Sequence, residues 1–195
     1  LKCDIRKFFA SIDHNILLGI LASYIPDKDI LWLLSAVVDS FNFQDNGKGL
    51  PLGNLTSQLF CNVYMNELDQ FVKHKLKAKY YIRYADDFVF LSSDKNWLEG
   101  IVKEIADFLE CRLQLRLHPN KVHIKSLASG VDFLGWVNFP HHRVIRGVTK
   151  RRAIKRILAS PTNQTLQSYL GLAIHGNAFG FQQELLNWHG LLGDK

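Results

Sequence analysis

YYIRYADDFVFL, residues Tyr80–Leu91, reads as two apolar strands broken by a pair of adjacent aspartates. Strands are expected over Lys79–Ala85 and Phe88–Ser92, with Asp86-Asp87 between them. Aspartate is disfavoured inside strands and accepted at turns. A plain hairpin supplies Asn-Gly or Asp-Gly at such a position, because tight turns often need positive φ. Two adjacent carboxylates also repel, so something should compensate them. A divalent cation does this well, since Mg2+ prefers carboxylate oxygen. A pair of such ions, roughly 3.5–4 Å apart, activates an attacking oxygen and stabilises a leaving one. Asp4 ends another apolar strand, Leu1–Ile5, within LKCDIRKFFASIDH. If that strand pairs beside the hairpin, a third carboxylate joins the same place. For an isolated Asp-Asp pair a solvated turn is the simpler account; the motifs around this one favour the metal.

Outward from the hairpin, helices and strands alternate. Asp13 is placed to cap a helix over His14–Tyr24, and Pro26-Asp27 starts a second one through Asp39. Residues 42–53 are rich in turn formers and predict a loop. Asn54 or Thr56 then caps a long helix reaching Lys77, with Leu55, Leu59, Val63, Leu68, Phe71 and Leu76 at helical spacing. A further helix is expected over Asn96–Leu115, then strands at Val122–Lys125, Val131–Phe139 and Arg143–Arg146. His141-His142 falls in the turn between the last two; with no third ligand spaced nearby, it is a polar hairpin tip and not a metal site. From Thr149 the pattern is helical again, with breaks near Pro161 and Gly176-Asn177. The order predicts an α+β fold, a sheet backed by helices over 1–147 and a small helical segment over 148–195.

Composition sets the outer limits. The net charge of +6 favours an anionic partner without naming one. Hydrophobic residues make up 47% of the chain, which supports a real core and argues against wholesale disorder. Cys3, Cys61 and Cys111 are far apart, odd in number and set in apolar stretches. That speaks against a disulfide framework and for buried thiols in a reducing, cytoplasmic setting. No apolar run reaches membrane-spanning length and no signal peptide is visible. The first residues lack an initiating Met and begin mid-pattern, as at a fragment boundary.

Tyr84-Ala85-Asp86-Asp87 resembles the Tyr-x-Asp-Asp signature of reverse transcriptases, and DIRKFFASIDH resembles that family's first acidic motif. The likeness continues in order. GLPLGNLTSQLFCNVYMNELD (Gly49–Asp69) is similar to the loop and helix under the templating base pair. LHPNKVHI (Leu117–Ile124) is similar to the lysine-bearing motif, and Phe133-Leu134-Gly135-Trp136 to the primer-grip hairpin. Five ordered motifs cover residues 1 to about 147. Most bacterial members carry Pro-Gln-Gly followed by Ser-Pro; here Pro51-Leu52-Gly53 and Ser57-Gln58 stand instead. Gly53–Gln58 resembles the enzymes of diversity-generating retroelements, with group II intron and retron enzymes as alternatives.

The resemblance implies a polymerase palm, a ferredoxin-like antiparallel sheet backed by helices, followed by a partial thumb. It implies RNA-templated DNA synthesis from dNTPs onto a primer 3′-hydroxyl, with two Mg2+ or Mn2+ ions. Asp4 and Asp86 would be the main ligands, Asp87 a third carboxylate, and the Ile5 carbonyl part of one ion's shell. Phe9 stands at the position of the sugar gate that rejects a ribose 2′-hydroxyl; core packing is its plainer role. Lys121 would protonate or hold the departing pyrophosphate, against a surface lysine. Gly53 and Gln58, with Leu52, lie where a loop feeding a helix N-terminus approaches a nucleotide. Arg83 would touch the primer strand or support neighbouring carboxylates, and Gly135 and Trp136 would hold the primer end, with Trp136 as core packing a rival. Lys150, Arg151, Arg152, Lys155 and Arg156 would meet duplex phosphates, against a solvated basic face.

The implied partners are an RNA template, a DNA or RNA primer and an accessory protein of the element, with no membrane; the oligomeric state is not set by the sequence. Because the family's fingers precede the first acidic motif, these residues alone are expected to polymerise weakly or not at all. A non-catalytic, maturase-like RNA-binding module and an inactive remnant are the competing accounts, though carboxylates without metal repel phosphate. Leucine at 52 neither donates nor accepts a hydrogen bond, so checking of the nascent base pair is expected to loosen. Leu52→Gln should then shift the error spectrum of sequenced products; an unchanged spectrum would leave a packing leucine only.

Overall fold

The computed structural model describes residues 1–40, 47–51 and 53–193. Leu52 and most of the loop expected at 42–53 lie outside the described residues. The chain forms two compact units, Leu1–Ile124 and Lys125–Lys195.

The first unit runs β1 (Lys2–Asp4), α1 (Phe8–Ser11), α2 (His14–Tyr24), α3 (Lys28–Asp39), α4 (Leu55–His74), β2 (Tyr80–Tyr84), β3 (Asp87–Leu91) and α5 (Lys95–Leu113). Helix starts follow the chemistry of their caps. Asp13 accepts hydrogen bonds from the Asn15 and Ile16 amides, Asp27 from those of Asp29 and Ile30, and Asp94 from that of Trp97. Asn54 occupies the cap position of α4 without a side-chain bond.

The strands pair antiparallel in the order β1-β3-β2. A further lane flanks β1: Ile5 bridges Leu117, and Lys2 exchanges backbone hydrogen bonds with His123 at 2.8 and 2.9 Å. The strand expected at Val122–Lys125 is reduced to this bridge. Pro119 and the turn in which the Lys121 amide donates to the His118 carbonyl, 3.1 Å, break the extended run.

One face of the sheet is the core. Cys3, Phe88 and Phe90 are buried with Tyr64 and Leu68 of α4 and Ile101, Ile105 and Leu109 of α5. The other face carries the exposed Tyr80, Ile82, Tyr84 and Leu91. Helix α4 is rotated from the face its leucines suggest. Phe60, Cys61, Tyr64, Met65, Leu68 and Val72 are buried, whereas Leu55 and Leu59 are 84% and 60% exposed. Tyr64 fixes that rotation: its hydroxyl donates to the Leu113 carbonyl at 2.7 Å and accepts from the Asp13 amide at 3.4 Å. Cys3 and Cys61 are buried as expected, but Cys111 is exposed on α5.

The second unit holds β4 (Val131–Phe133), β5 (Trp136–Asn138), β6 (Arg143–Ile145), α6 (Gly147–Ala159), α7 (Asn163–Ala173) and α8 (Phe179–Gly193). The strand expected over Val131–Phe139 is a hairpin instead. Leu134 and Gly135 turn it, both left-handed at φ 54° and 82°. Trp136 and Ile145 are buried with Ala153, Ile157, Leu166, Phe181 and Leu185 of the three helices. This shared core is why the packing divides the chain before Lys125 and not near Gly147. No described helix is long and apolar enough to cross a membrane.

Gly176 closes over Trp136, whose ring is capped by the Arg143 guanidinium at 5.1 Å. A Cβ at residue 176 would stand 2.2 Å from Cζ3 of that ring. Gly176→Ala should therefore cost about 2 kcal/mol in denaturant unfolding, as overpacked cores do. A change below about 0.5 kcal/mol, the range of inert surface substitutions, would contradict this packing.

Candidate active site

The β2–β3 hairpin ends its ladder at the pair Tyr84–Asp87, which leaves Ala85-Asp86 as a two-residue turn. Asp87 is thus the first residue of β3, not part of the turn as the sequence suggested. Ala85 takes the positive φ the turn demands, 52°, in place of glycine. For a residue with a Cβ that conformation costs roughly 1–2 kcal/mol.

The β1–β3 register sets Asp4 directly across from Asp87. Directly opposed residues of an antiparallel pair point to one face, so both carboxylates share the open face of the sheet, with Asp86 one residue before Asp87. Each opposed carboxylate has an ammonium partner. Lys121 reaches both oxygens of Asp4 at 3.1 Å, and Lys2 reaches Oδ2 of Asp87 at 3.0 Å. Lys121 is brought there by the flanking lane, in which the His118 amide donates to the Asp4 carbonyl at 2.8 Å. Burial first, then the charges of Asp4 and Asp87, push the Asp86 carboxyl above its usual range; its own backbone hydrogen bond and Lys121 pull the other way.

Behind the turn, on the helix side, Arg83 forms a two-pronged pair with Asp69 of α4, Nε to Oδ1 at 2.8 Å and Nη2 to Oδ2 at 2.6 Å. Its Nη1 donates to the Ala85 carbonyl at 3.1 Å. Tyr81 donates its hydroxyl to the same Asp69 Oδ1 at 2.8 Å. Burial works against the Arg83 charge, but the Asp69 hydrogen bonds and charge outweigh it and hold its pKa above the usual value. The Arg83 side chain is 9% exposed. That geometry corrects the expected primer contact and favours the supporting role.

The remaining residues separate into groups. Phe8 is buried and Phe9 half-buried against it, ring centroids 5.3 Å apart, so only Phe9 has a surface to offer. The Phe9 carbonyl accepts from the Leu50 amide at 2.8 Å, which ties residues 49–50 to the segment after Asp4. Ile5 buries its side chain in the core directly after Asp4. Gly53, at φ 92°, and Gln58 are exposed at the start of α4. In the second unit Gly135 lies in the β4–β5 turn, but Trp136 is buried, which corrects its assignment to the primer and supports the packing alternative. Arg151, Arg152, Lys155 and Arg156 are exposed along α6, whereas Lys150 lies over the Phe181 ring at 5.7 Å. His142 stacks on Phe139, centroids 4.7 Å apart, as a hairpin tip.

Lys2 and Asp69 escaped sequence reasoning. Strand alternation places residue 2 on the same face as residue 4, which is the signal that would have found Lys2. Asp69 gives no signal before α4 is seen against β2.

Among the described residues no three His, Cys, Asp or Glu side chains stand as a closed metal-holding group. The expected three-carboxylate cage is therefore not formed as such; Lys121 and Lys2 engage two of its members. The donor chemistry still fits a hard cation: three carboxylates against two ammoniums leave an excess negative charge, and hard divalent ions take carboxylate oxygen.

The family model described as reverse transcriptase (RNA-dependent DNA polymerase) matches residues 1–138. Protein YkfC of Escherichia coli (strain K12) is 27% identical over 73% of this chain and 46% of its own length. The group II intron-encoded protein LtrA of Lactococcus lactis subsp. cremoris is 22% identical over 68% of this chain and 33% of its own. A putative COX1/OXI3 intron 2 protein of Saccharomyces cerevisiae is 31% identical over 41% of this chain and 10% of its own. The chain thus spans less than half the length of these relatives. In structure it resembles telomerase from Candida tropicalis, solved with a TWJ fragment of telomeric RNA: TM-score 0.55 at 14% identity, over 96% of this chain and 37% of that one.

The raised Asp86 pKa has a consequence for stability. A carboxyl that holds its proton more tightly when folded contributes stability that is present below its unfolded pKa and lost as pH rises through the folded value. In metal-free buffer Asp86→Asn, which fixes the neutral form, should raise the melting temperature by a few degrees at neutral pH. The gain should fade as pH falls through the usual Asp range; an unchanged melting temperature at pH 7 would show that Asp86 carries no such strain.

Proposed function

Because this chain belongs to the reverse transcriptase (RNA-dependent DNA polymerase) family, we propose that it contains the palm of an RNA-templated DNA polymerase of group II intron type, with the helical second unit contributing a partial thumb. The single observation that carries this reading is the register that opposes Asp4 to Asp87 beside the Asp86 turn. The order of the sheet, flanking lane–β1–β3–β2 with helices on one face, supports the ferredoxin-like palm. The intron-encoded relatives support the intron lineage over the retroelement one.

In this reading Asp4 and Asp86, with the Ile5 carbonyl, hold Mg2+ or Mn2+, and Asp87 adds negative charge beside them. When bound, such ions neutralise charge on the nucleotide phosphates and favour attack by the primer 3′-hydroxyl with loss of pyrophosphate. The protein's own contribution is positioning and electrostatics. Asp4 and Asp86 fix where the charge sits. Lys121, on an exposed turn with its side chain 53% accessible, swings from Asp4 to the departing pyrophosphate and supplies charge or a proton there. Phe9 presents its free edge to the sugar and excludes a 2′-hydroxyl. Gly53 lets backbone approach the nucleotide, and Gln58 faces it from the first turn of α4; Leu52 takes the place of the family's polar contact. Arg151, Arg152, Lys155 and Arg156 meet the template–primer duplex through phosphates, so that contact weakens with salt.

The test is primer extension on an RNA template by the full-length protein with Mg2+ or Mn2+. Asp86→Asn should abolish extension, by at least a hundredfold, while Phe9→Ala should retain it and admit ribonucleotides. Extension unaffected by Asp86→Asn would overturn the polymerase assignment, and unaltered sugar selection in Phe9→Ala would overturn the gate.

A further inference from the structure

We infer that Asp69 and Arg83 form a clamp that positions the Ala85-Asp86 turn, which makes Asp69 a positioning residue for the metal site although it lies on the far side of the sheet. The inference rests on the polymerase reading and adds to it a residue outside the carboxylate set.

Strand alternation is the starting point. Tyr84 and Ile82 lie on the open face, so Tyr81 and Arg83 point into the helix side, where they meet Asp69 on α4. The Arg83 fork matches both Asp69 oxygens at 2.8 and 2.6 Å, a geometry that fixes the plane of the guanidinium as well as its position. Tyr81 steadies the carboxylate from a second direction at 2.8 Å. The nitrogen left over is delivered to the Ala85 carbonyl at 3.1 Å.

That carbonyl belongs to the peptide joining Ala85 to Asp86, so its orientation sets where the Asp86 carboxylate points. The turn has two reasons to relax. Ala85 is left-handed at φ 52° without being glycine, and Asp86 is repelled by Asp4 and Asp87. Each would push residue 86 away from its neighbours. The hydrogen bond from Arg83 opposes that motion, and Asp69 anchors Arg83 to the long helix α4, whose fourth and fifth turns are packed in the core. A lysine at 83 would keep the charge but not the fork, because an ammonium cannot bind two carboxylate oxygens and a carbonyl in one plane. Positioning and mere charge neutralisation therefore make opposite predictions for Arg83→Lys.

The experiment is Mn2+ binding to this chain, followed by the paramagnetic resonance of the free ion, with circular dichroism and melting recorded on each variant. Asp86→Asn defines the site and should remove the tight uptake. Arg83→Lys should weaken uptake at least tenfold while the helical signal is kept. The double variant Asp69→Asn/Arg83→Met removes both charges together, so no buried charge is left alone, and the asparagine amide oxygen introduced on α4 still accepts from Tyr81; this variant should weaken uptake equally. Asp86-dependent uptake within twofold of wild type in Arg83→Lys or in the folded double variant would overturn the clamp while leaving the metal site intact. Uptake that Asp86→Asn does not change would overturn the metal site itself, and the clamp's role with it.

Discussion

Antiparallel pairing of β1 with β3 forces Asp4 and Asp87 to face each other on one side of the sheet, and the tight turn adds Asp86 beside them. Like charges directly opposed across strands destabilise a sheet, by up to about 1 kcal/mol for a pair on an open surface. A third carboxylate in a part-buried turn adds to that, and the raised Asp86 pKa records the conflict. Much of the local structure is arranged to contain it. Lys121 covers Asp4, Lys2 covers Asp87, and Arg83 holds the turn from behind. Surface ion pairs contribute little on their own. Here they matter because they offset a repulsion that the backbone imposes and cannot relieve by itself.

Helix α4 links this corner to the rest of its unit. Its buried stripe packs on the sheet through Tyr64 and Leu68, and one turn further Asp69 reaches Arg83. Its first turn starts from the left-handed Gly53, with Leu55 and Leu59 exposed. A single rigid element therefore carries both the loop read as nucleotide-facing and the anchor of the carboxylate turn. The rotation of α4 follows from Tyr64, which satisfies a carbonyl at the end of α5 and an amide at the start of α2 in one place. A buried hydroxyl left without those partners would cost about 1–3 kcal/mol, so the rotation is strongly specified.

The local parts of this arrangement were legible in the sequence. Asp13 and Asp27 cap where their side-chain chemistry says they should, and the apolar hairpin around the Asp-Asp pair is where alternation puts it. Reasoning failed where an outcome depends on distant partners or on strain. Val131–Phe139 reads as one strand because nothing in Leu134 announces a left-handed residue; the turn is imposed by Trp136 entering the second core. Leu55 and Leu59 fit a helical stripe as well as their neighbours do, and only Tyr64's two partners decide between faces. Asp69 and Arg83 are ordinary charges until the sheet and α4 meet. Trp136 had two accounts, and its burial selects between them.

The carboxylate corner also weighs against a module that only binds RNA. Such a module gains from exposed cations and aromatic faces, of which Arg151, Arg152, Lys155 and Arg156 on α6 and Tyr80 and Tyr84 on the sheet are examples. It gains nothing from three carboxylates crowded on the same open face as those tyrosines, because each repels phosphate. Substituting Asp4 or Asp86 by asparagine would remove the repulsion, and the left-handed Ala85 could relax. A fold that instead keeps the charges, the strained turn and the buried guanidinium that holds it concentrates its local cost at one point. Strain and perturbed carboxylates gather where a site has chemistry to do, and here the chemistry that uses closely spaced carboxylates beside a phosphate-binding surface is metal-assisted phosphoryl transfer.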